Sequence, residues 1–439
     1  MKQKENKDNK KRGVRERKPN WLELMASVEE IEQFLSERVM LRYNVLTRRV
    51  ECHVLSDFGR PTAEGYEAVS DRVVNSLWAE LNRRKPVRIQ DMQRVIESDF
   101  VPEYHPFRLY LSRLPPWRPE QGDFIMELSL TVNVRGDSDE QLLFYEYLRK
   151  WLVGMVAAWV DPEVVNNVML VLIGEQGSYK TTWFSYLLPP ELRRYCYTKS
   201  NSGRMTKDDL LTLSQYGLVC CEELDTMRPS ELNQLKAAMT MTTIDERPAY
   251  ARYHEHRQHI ASFCGTGNNV QFLGDTTGNR RWLPFEVDSI ESPRASPFNY
   301  EGIYSQAYTL YRQGFRYWFS PEEIQRLNRH NQHFETPRLE VELVQQYFRR
   351  PSAQEPGEWI PVGVALQVVG AGITQKLSAV LLGRAFVELG FLFKKSNGIR
   401  CYLVVRRSPE EMRSVRHAPP MAALSRTAGA DRADGADVF

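Results

Sequence analysis

Long hydrophobic runs are missing from this sequence. Although 42% of its 439 residues are hydrophobic, no apolar segment approaches the roughly 20 consecutive residues that a membrane-spanning helix needs. The first 20 residues are basic and have no apolar segment after them, unlike a secretory signal. These absences predict a cytoplasmic protein without a membrane partner. Its apolar content is sufficient for a large core, and its length suggests two or three domains.

Cysteine is also scarce. The chain has six cysteines, and none is spaced as C-x-x-C; they are Cys52, Cys196, Cys220, Cys221, Cys264 and Cys401. A zinc knuckle would need paired spacings of that kind, and such scattered cysteines do not indicate a disulfide framework. The pattern therefore predicts reduced thiols.

A strong charge of one sign is absent as well. Lys and Arg total 58 against 56 Asp and Glu, a net charge of +2, so any surface for nucleic acid must be local. Residues 1–20 form a basic tail, which is either a solvated disordered end or a phosphate-seeking arm. Residues 408–439 have few apolar anchors, and we predict a disordered tail there.

Three folded segments are expected between these tails. Residues 21–120 mix helical patterns with one hairpin pattern, which predicts an N-terminal α+β region. In residues 121–336 long helical patterns alternate with short apolar strands, which is typical of a parallel α/β sheet with crossover helices. In residues 337–407 three helical patterns precede two strand-like runs around Asn397-Gly398, the element order of a winged helix.

The stretch GEQGSYKTT resembles a phosphate-binding loop, G-x-x-x-x-G-K-[ST]. An apolar strand from Val168 to Ile173 precedes it and an amphipathic helix follows it. In this context Lys180 would reach the β- and γ-phosphates of ATP, and the Thr181 hydroxyl would ligate Mg²⁺. The alternative is a glycine turn with a chance lysine. The predicted nucleotide-binding residues are Gly174, Gly177, Ser178, Tyr179, Lys180, Thr181 and Thr182.

Tyr179 departs from this pattern because it occupies the position of the glycine before the lysine. Glycine there allows a close approach to phosphate or an unusual backbone conformation. A tyrosine can fit there if its φ is negative, and its ring must then point away from the nucleotide.

Polar residues follow two of the predicted strands. Glu222 and Glu223 follow the strand in GLVCCEE, where an acid pair would hold Mg²⁺ and polarise the attacking water. Asn268 follows the strand Ile260–Cys264, and it could orient that water if this strand lies beside the loop strand. The alternatives are a charged strand end and a plain turn.

Two adjacent arginines, Arg280 and Arg281, occur in GDTTGNRRW. Arginine stabilises charge on a transferring phosphoryl group, often from a neighbouring subunit. A basic pair on the surface is the alternative.

The order of these motifs resembles the virulence-associated E family. The shared pieces are GEQGSYKTT, CCEELD, LKAAMT, DERPAYAR, CGTGNN and FLGDTTGNRRWLPFEV, of which the last is the most specific. The resemblance extends from about Arg42 to about Phe334. Members are P-loop ATPases of phages and other mobile elements, related to superfamily-three helicases and to phage and plasmid primase-helicases. It implies an AAA+-like core and an oligomeric ring, a hexamer, with ATP between subunits.

Family roles transfer to matching positions. By this resemblance Lys180 and Thr181 would bind phosphate and Mg²⁺, and Glu222 and Glu223 would form the acid pair. Asn268 would be the sensor residue, and Arg280 or Arg281 would be the arginine finger. Tyr179 and Glu222 depart from the usual Gly and Asp, which puts the rate of hydrolysis in doubt more than binding.

DNA contacts are expected at two places. The family's helicases carry a pore hairpin between the acids and the sensor, and basic and aromatic residues there suit single-stranded DNA. The predicted DNA-binding residues are Arg247, Tyr250, Arg252, His254 and Arg257, together with Lys394 and Lys395 of the wing. A solvated hairpin, arginines that serve the nucleotide, and a wing that docks protein are the alternatives.

Two functions fit these observations. The first is an ATP-dependent DNA helicase or translocase, using Mg²⁺ and acting on single-stranded or fork DNA during replication of a phage or other mobile element. The second is a DNA-binding initiator or regulator that uses ATP to assemble, with little hydrolysis. Tyr179 favours the second, whereas the acid pair and TGNRR favour the first. Residues 21–120 show no acidic triad for priming, so a separate primase partner is expected.

Overall fold

The computed structural model describes residues 24–55, 65–200, 206–246, 255–274, 279–336, 338–352, 355–371, 373, 377–396 and 398–416. The chain divides into two compact units, Met1–Phe334 and Glu335–Phe439. Both contain helices and strands, in agreement with the predicted α/β class. Within these ranges no helix is long and apolar enough to cross a membrane.

The first unit begins with a small α+β region. Its elements are α1 (Val28–Arg38), β1 (Val39–Asn44), β2 (Arg49–Val54), β3 (Glu67–Ala68), α2 (Asp71–Arg84), α3 (Ile89–Ile96) and β4 (Glu103–Tyr104). The predicted hairpin is the antiparallel pair β1–β2, within a sheet of order β3-β2-β1-β4. The helices bury apolar faces that include Leu35, Leu77 and Met92 in a cluster of their own.

A buried carboxylate connects this sheet to the rest of the unit. Glu51 on β2 is only 3% exposed. It accepts hydrogen bonds from Arg42 (2.7 Å), Asn44 (2.8 Å), Tyr104 (2.6 Å) and Arg194 (2.8 Å). Burial by itself would raise the Glu51 pKa, but these hydrogen bonds and the Arg194 charge hold it below its ordinary value. Glu51 therefore joins the α+β region to Arg194, which lies much later in the chain, in the part of the unit that contains the six-stranded sheet.

The remaining elements of the first unit surround a six-stranded sheet. They are α4 (Pro106–Arg113), α5 (Phe124–Leu130), β5 (Val132–Val134), α6 (Ser138–Val160), β6 (Met169–Ile173), α7 (Lys180–Leu187), β7 (Cys196–Lys199), α8 (Lys207–Thr212), β8 (Leu218–Cys221), α9 (Pro229–Ala238), β9 (Thr243–Glu246), β10 (Glu255–Gln258), β11 (Ser262–Gly267), β12 (Trp282–Ile290), α10 (Tyr300–Arg312) and α11 (Pro321–Asn331). The strand order is β5-β12-β6-β11-β8-β7. All neighbours are parallel except β5 and β12.

Strand β6 lies in the middle of this sheet, and all five of its residues are buried. Leu170 and Leu172 face one apolar cluster, which includes Trp151 of α6. Val171 faces the other cluster, across the sheet. A parallel strand covered on both faces reads as a continuous apolar run, which is why MLVLI was recognisable in the sequence.

Two features of this unit differ from what the sequence suggests. The prolines that end YHPFRLYLSRLPPW suggest a connector, but the segment contains α4, whose Phe107 and Leu111 are buried. Pro106 occupies the first turn of α4, where a missing N–H costs nothing. Strand β12 was not predicted, and it begins at Trp282, directly after the arginine pair.

The second unit has its own core. Its elements are α12 (Leu339–Tyr347), β13 (Phe348–Arg349), β14 (Glu358–Pro361), α13 (Val362–Gly370), α14 (Ala379–Glu388), β15 (Phe393–Ser396), β16 (Ile399–Arg406) and α15 (Pro409–Arg416). Helices α12, α13 and α14 pack against the sheet in a core that includes Val344 of α12, Phe386 of α14 and Tyr402 of β16. The predicted final hairpin is the pair β15–β16, while Asn397 of its turn lies outside the described residues. Strand β14 was not predicted.

Helix α15 contradicts part of the predicted disordered tail, since residues 409–416 are helical. The helix begins with a reciprocal capping box. The Ser408 N–H donates to Glu411 Oε2 (2.7 Å), and the Glu411 N–H donates to Ser408 Oγ (3.2 Å). Glu411 also forms an ion pair with Arg349 at 3.2 Å. A cap and a tertiary ion pair thus order a segment that has few apolar residues.

Candidate functional site

The predicted loop connects β6 to α7 at the carboxyl edge of the sheet. Gly174 is its first residue, and its N–H donates to Gly267 O at 3.2 Å. A Cβ at Gly174 would lie 2.7 Å from Val287 O, so no other residue fits there without movement. Gly177 has φ +88°, a conformation that favours glycine. Both glycines therefore shape the loop for backbone reasons.

Lys180 is the first residue of α7 and is only 7% exposed. Its Nζ donates to Gly174 O (2.8 Å), Glu175 O (2.7 Å) and Ser178 Oγ (3.1 Å). Burial lowers the Lys180 pKa, and the negative charge of Asp225 opposes that effect. Because the three acceptors are neutral, the loop holds a desolvated cation whose charge remains available to an anion.

Tyr179 has φ +63° and ψ 12°, in the left-handed region. The negative φ that was set as the condition for a tyrosine at this position is therefore not present, and the tyrosine is accommodated with a positive φ. The loop imposes on Tyr179 the backbone conformation that a glycine adopts freely, at a cost of about 1–2 kcal/mol. Its ring is 49% exposed. The residue at this position therefore has a left-handed backbone even though a tyrosine replaces the usual glycine.

Backbone strain recurs at the acid pair. Glu223 has φ +54°, and among the described residues the non-glycine positions with positive φ are Arg48, Tyr179 and Glu223. Two of these three belong to the predicted site. Such strain is concentrated at functional sites, where the surrounding structure holds it in place.

Thr181 and Thr182 form the first turn of α7, and both are half-buried. Tyr179 precedes this turn and provides no side-chain hydrogen bond to its N–H groups. The start of the helix therefore presents positive dipole ends on the side where the loop lies.

Asn268 lies beside the loop, which was the condition for its predicted role. Strand β11 pairs in parallel with β6, and Gly267 is the register partner of Ile173. Since Asn268 and Gly174 are the next residues of the two strands, they leave the sheet side by side. The condition under which Asn268 could orient a water is met, and its side chain is exposed.

The acid pair follows β8, on the other side of β11. Gly265 of β11 is the register partner of Cys221, the last residue of β8. Glu222 comes next and is half-buried, and its N–H donates to Lys199 O at 3.1 Å. Glu223 is exposed. The loop, Asn268 and the acids therefore lie along one carboxyl edge, where parallel sheets commonly bind ligands.

Sequence reasoning missed Asp225. Its Oδ1 accepts the N–H of Asn268 at 3.2 Å, and its Oδ2 accepts the N–H of Asn269 at 3.1 Å. It is half-buried and belongs to the short 3-10 helix Leu224–Thr226. The signal was present in CCEELD, where a third acid follows the pair, but only tertiary structure shows that it reaches the next strand.

The arginine pair does not converge with the loop within one chain. Arg280 and Arg281 belong to a 3-10 helix that precedes β12, and Trp282 of β12 is the register partner of Met169, the first residue of β6. Lys180 follows the other end of β6, and five residues of strand span roughly 16 Å. Arg280 is exposed and Arg281 is half-buried.

The predicted pore hairpin corresponds to the antiparallel pair β9–β10. Gln258 anchors its base by donating to Ala158 O (3.3 Å) and Asp161 O (3.1 Å). Arg257 on β10 is half-buried. Four predicted DNA-binding residues lie outside the described residues: Arg247, Tyr250, Arg252 and His254.

The predicted wing contacts are on the surface of the second unit. Lys394 and Lys395 of β15 are both exposed. The Lys394 Nζ lies 4.2 Å from the ring centroid of Trp359, an exposed tryptophan of β14. This face thus combines cations with an accessible aromatic ring.

The donor set suits Mg²⁺ bound together with a nucleotide. The Thr181 hydroxyl and the Glu222 carboxylate would provide oxygen ligands, which Mg²⁺ prefers. Within the described ranges no group of three or more His, Cys, Asp or Glu side chains is placed to hold a metal ion. An ion at this edge would need nucleotide phosphates among its ligands.

Comparisons with known proteins support the sequence reading. The family model of the virulence-associated protein E-like domain matches residues 129–336. The predicted resemblance is confirmed for this segment, which includes the loop, the acids, Asn268 and both arginines. The match begins at residue 129, so the part of the expected resemblance that precedes it lies outside the matched segment.

Other comparisons add little. No curated protein matches the chain. Among solved structures, an A-form apo structure of the NrS-1 C-terminal region is 13% identical and covers 85% of this chain and 98% of that one, with a TM-score of 0.45. A second apo structure of the same region gives the same identity and coverage, with a TM-score of 0.43.

Proposed function

Given a virulence-associated protein E-like domain at residues 129–336, we propose that this protein is an ATP-driven DNA helicase or translocase. It would act in the replication of a phage or another mobile genetic element. One observation carries the proposal: the buried Lys180 cation, Asn268 and the acid pair follow strands that end at the same edge of a parallel sheet.

In this proposal the loop binds the triphosphate of ATP. Lys180 exchanges its neutral partners for the β- and γ-phosphate oxygens, and first-turn N–H groups of α7 face the phosphates. Thr181 and Glu222 would hold Mg²⁺, which supplies charge neutralisation when bound. Glu223 accepts a proton from the attacking water, and Asn268 orients that water.

The position of the arginines favours an assembly. Arg280 and Arg281 lie at the sheet edge opposite to the loop, so they are poorly placed to reach the γ-phosphate of their own chain. An arginine from a neighbouring copy could reach it, as in enzymes that supply this residue in trans. This supports the homo-oligomeric ring, a hexamer, that the family resemblance implies.

The proposed substrate, along which the protein would move, is single-stranded or fork DNA. The hairpin β9–β10 would contact the strand in the ring, and the second unit would act as a winged helix whose wing carries Lys394 and Lys395. Exposed cations next to Trp359 suit phosphate attraction combined with base stacking. A separate primase would supply primers.

Tyr179 favours a second candidate function. Its exposed ring lies in a strained position at the nucleotide loop, and such a residue can slow turnover while binding persists. The protein would then be an initiator or regulator that binds ATP to assemble on DNA and hydrolyses little of it.

ATP hydrolysis with and without single-stranded DNA tests the proposal. We expect stimulation by DNA, loss of ATP binding in Lys180→Ala, and retained binding without hydrolysis in Glu223→Gln. Glu191→Gln, which neutralises another exposed acid of the same unit, is the matched control and should behave as wild type. Tight ATP binding with hydrolysis that is absent and insensitive to DNA would instead support the second candidate.

A further inference from the structure

We propose that Asp225 is a positioning residue for ATP hydrolysis, whose carboxylate ties the segment that carries Asn268 to the turn that carries Glu223. The inference rests on the proposed ATPase function. It adds a third acid to the pair recognised in the sequence, with a role in geometry rather than in contact with ATP.

Both carboxylate oxygens of Asp225 are engaged by the backbone after β11. Oδ1 accepts from Asn268 N at 3.2 Å and Oδ2 accepts from Asn269 N at 3.1 Å. Hydrogen bonds to a charged acceptor are about twice as strong as neutral ones. Two such bonds from adjacent amides fix the direction in which the chain leaves β11, and hence the starting direction of the Asn268 side chain.

Close packing at Gly267 reinforces this clamp. A Cβ at Gly267 would lie 3.2 Å from Asp225 Oδ1, which is tighter than an ordinary contact. A glycine at the end of β11 therefore lets the carboxylate reach the amides of the following two residues. The sequence GTGNN provides the small residue and the two amides together.

The other end of the clamp is the turn that carries Glu223. The Thr226 N–H donates to Glu223 O at 2.9 Å, and the Thr226 hydroxyl donates to the same oxygen at 2.8 Å. Glu223 and Asp225 therefore belong to one short, hydrogen-bonded turn. The clamp thus holds the Asn268 segment in a fixed position relative to the residue assigned as general base.

Asp225 also acts electrostatically on the phosphate loop. Its charge raises the Lys180 pKa, against the larger effect of burial. The clamp thus lies within electrostatic reach of the cation that would bind phosphate. Catalytic groups must be held within about 0.5 Å of productive geometry, and Asp225 is the described side chain that joins the acid turn to the sensor segment by direct hydrogen bonds.

Steady-state kinetics of Asp225→Asn test this role in the full-length protein. The amide retains one acceptor oxygen, and its NH₂ group would face a backbone donor. We expect kcat to fall about 10- to 100-fold, and the Kd for a fluorescent ATP analogue to change less than about threefold. Asp208→Asn, which neutralises an exposed acid in the first turn of α8, is the control and should leave both values unchanged.

A double-mutant cycle with Asn268→Ala distinguishes positioning from direct action. If Asp225 acts through Asn268, adding Asp225→Asn to Asn268→Ala should lower kcat by less than about threefold more. Multiplicative effects, or a Kd for the analogue that weakens in parallel with KM, would overturn the proposal. In that case Asp225 would act on the nucleotide itself.

Hydrogen exchange provides a readout that is independent of activity. The Asn268 and Asn269 amides should exchange at least about tenfold faster in Asp225→Asn than in wild type or Asp208→Asn. Unchanged exchange would overturn the clamp even with hydrolysis intact. Faster exchange in a protein whose wild type hydrolyses no ATP would instead confirm the clamp while overturning the proposed function and the catalytic role together.

Discussion

The left-handed conformation of Tyr179 leads to a prediction with an unusual sign. We expect Tyr179→Gly to be more stable than Tyr179→Ala. Both variants lose the same half-exposed ring, so the loss of buried area is common to them. The difference reports only how the backbone at φ +63° tolerates a Cβ.

The magnitude follows from two opposing contributions. A Cβ in the left-handed region costs about 1–2 kcal/mol, and glycine avoids this cost. Glycine also gains freedom in the unfolded chain, which costs about 0.5–1 kcal/mol relative to alanine. The net expectation is a free energy of unfolding about 0.5–1 kcal/mol higher for Tyr179→Gly than for Tyr179→Ala.

Tyr308 provides a matched control. It lies inside the right-handed helix α10 and is half-buried. There glycine should be less stable than alanine by about 1 kcal/mol, because of its lower helix propensity. The sign of the Gly-minus-Ala difference should therefore reverse between the two tyrosine positions, with a total separation of about 1.5–2 kcal/mol.

Urea denaturation of the four variants, followed by circular dichroism, measures these differences. The reasoning is refuted if alanine equals or exceeds glycine at Tyr179 while Tyr308 shows the ordinary helical order. That result would mean that the loop backbone is not left-handed. Tyr179→Gly should also retain ATP binding, because it restores the residue that the phosphate-loop pattern usually contains.

Three further predictions concern other parts of the molecule. Glu51→Ala removes a buried carboxylate bound by two arginines, and we expect the free energy of unfolding to fall by about 3 kcal/mol in urea denaturation. Burial, together with the Arg108 charge, lowers the His105 pKa from 6.5 to about 4. The unfolded chain thus binds this proton more readily, so stability should decline between about pH 6.5 and about pH 4, by at most about 1.4 kcal/mol per pH unit; His105→Asn should weaken that decline. Lys394→Glu combined with Lys395→Glu should reduce affinity for single-stranded DNA, and should lower the slope of log K against log salt by about 0.7 for each lost phosphate contact.

A contrary outcome can be stated for each of these predictions. The control for Glu51→Ala is Glu146→Ala, which removes one partner of an exposed ion pair with Arg326 and should lower the free energy of unfolding by less than about 1 kcal/mol. An equal loss in Glu51→Ala would show that the buried network is not especially stabilising. An unaltered pH profile in His105→Asn would assign the acid sensitivity to other groups. An unaltered salt slope in the lysine variant would place the DNA contacts elsewhere.

Several parts of the fold could be predicted because their signals are local. Strand β6 was predicted from its continuous run of apolar residues, and long helical patterns were predicted in the segment that contains α6. Ser320-Pro321-Glu322-Glu323 has the residue types of a capped helix start, and α11 begins at Pro321 with a reciprocal capping box. The same four residue types occur at 408–411 and start α15. That signal was equally local, but the composition of the tail outweighed it.

The spacing of the loop between β6 and α7 was also predicted from the sequence, but its conformation was not. Gly174 and Lys180 occur in the expected register, and the strand and helix around them are present. The sequence suggested that a tyrosine would need a negative φ at this position, because residues other than glycine prefer negative φ, whereas Tyr179 has a positive φ. The loop between β6 and α7 thus holds Tyr179 in the left-handed region in spite of that preference.

By itself, the sequence determined the identity and order of the chemical groups: the loop lysine, the acid pair, the asparagine and the arginine pair. Only the tertiary structure decided which of them meet. It places β11 between β6 and β8, directs Asp225 onto the amides after β11, and leaves Arg280 at the opposite edge. The physical reason is that helix starts and apolar runs depend on neighbours in sequence, whereas strand order and the ends at which side chains converge depend on pairings between segments far apart in the chain.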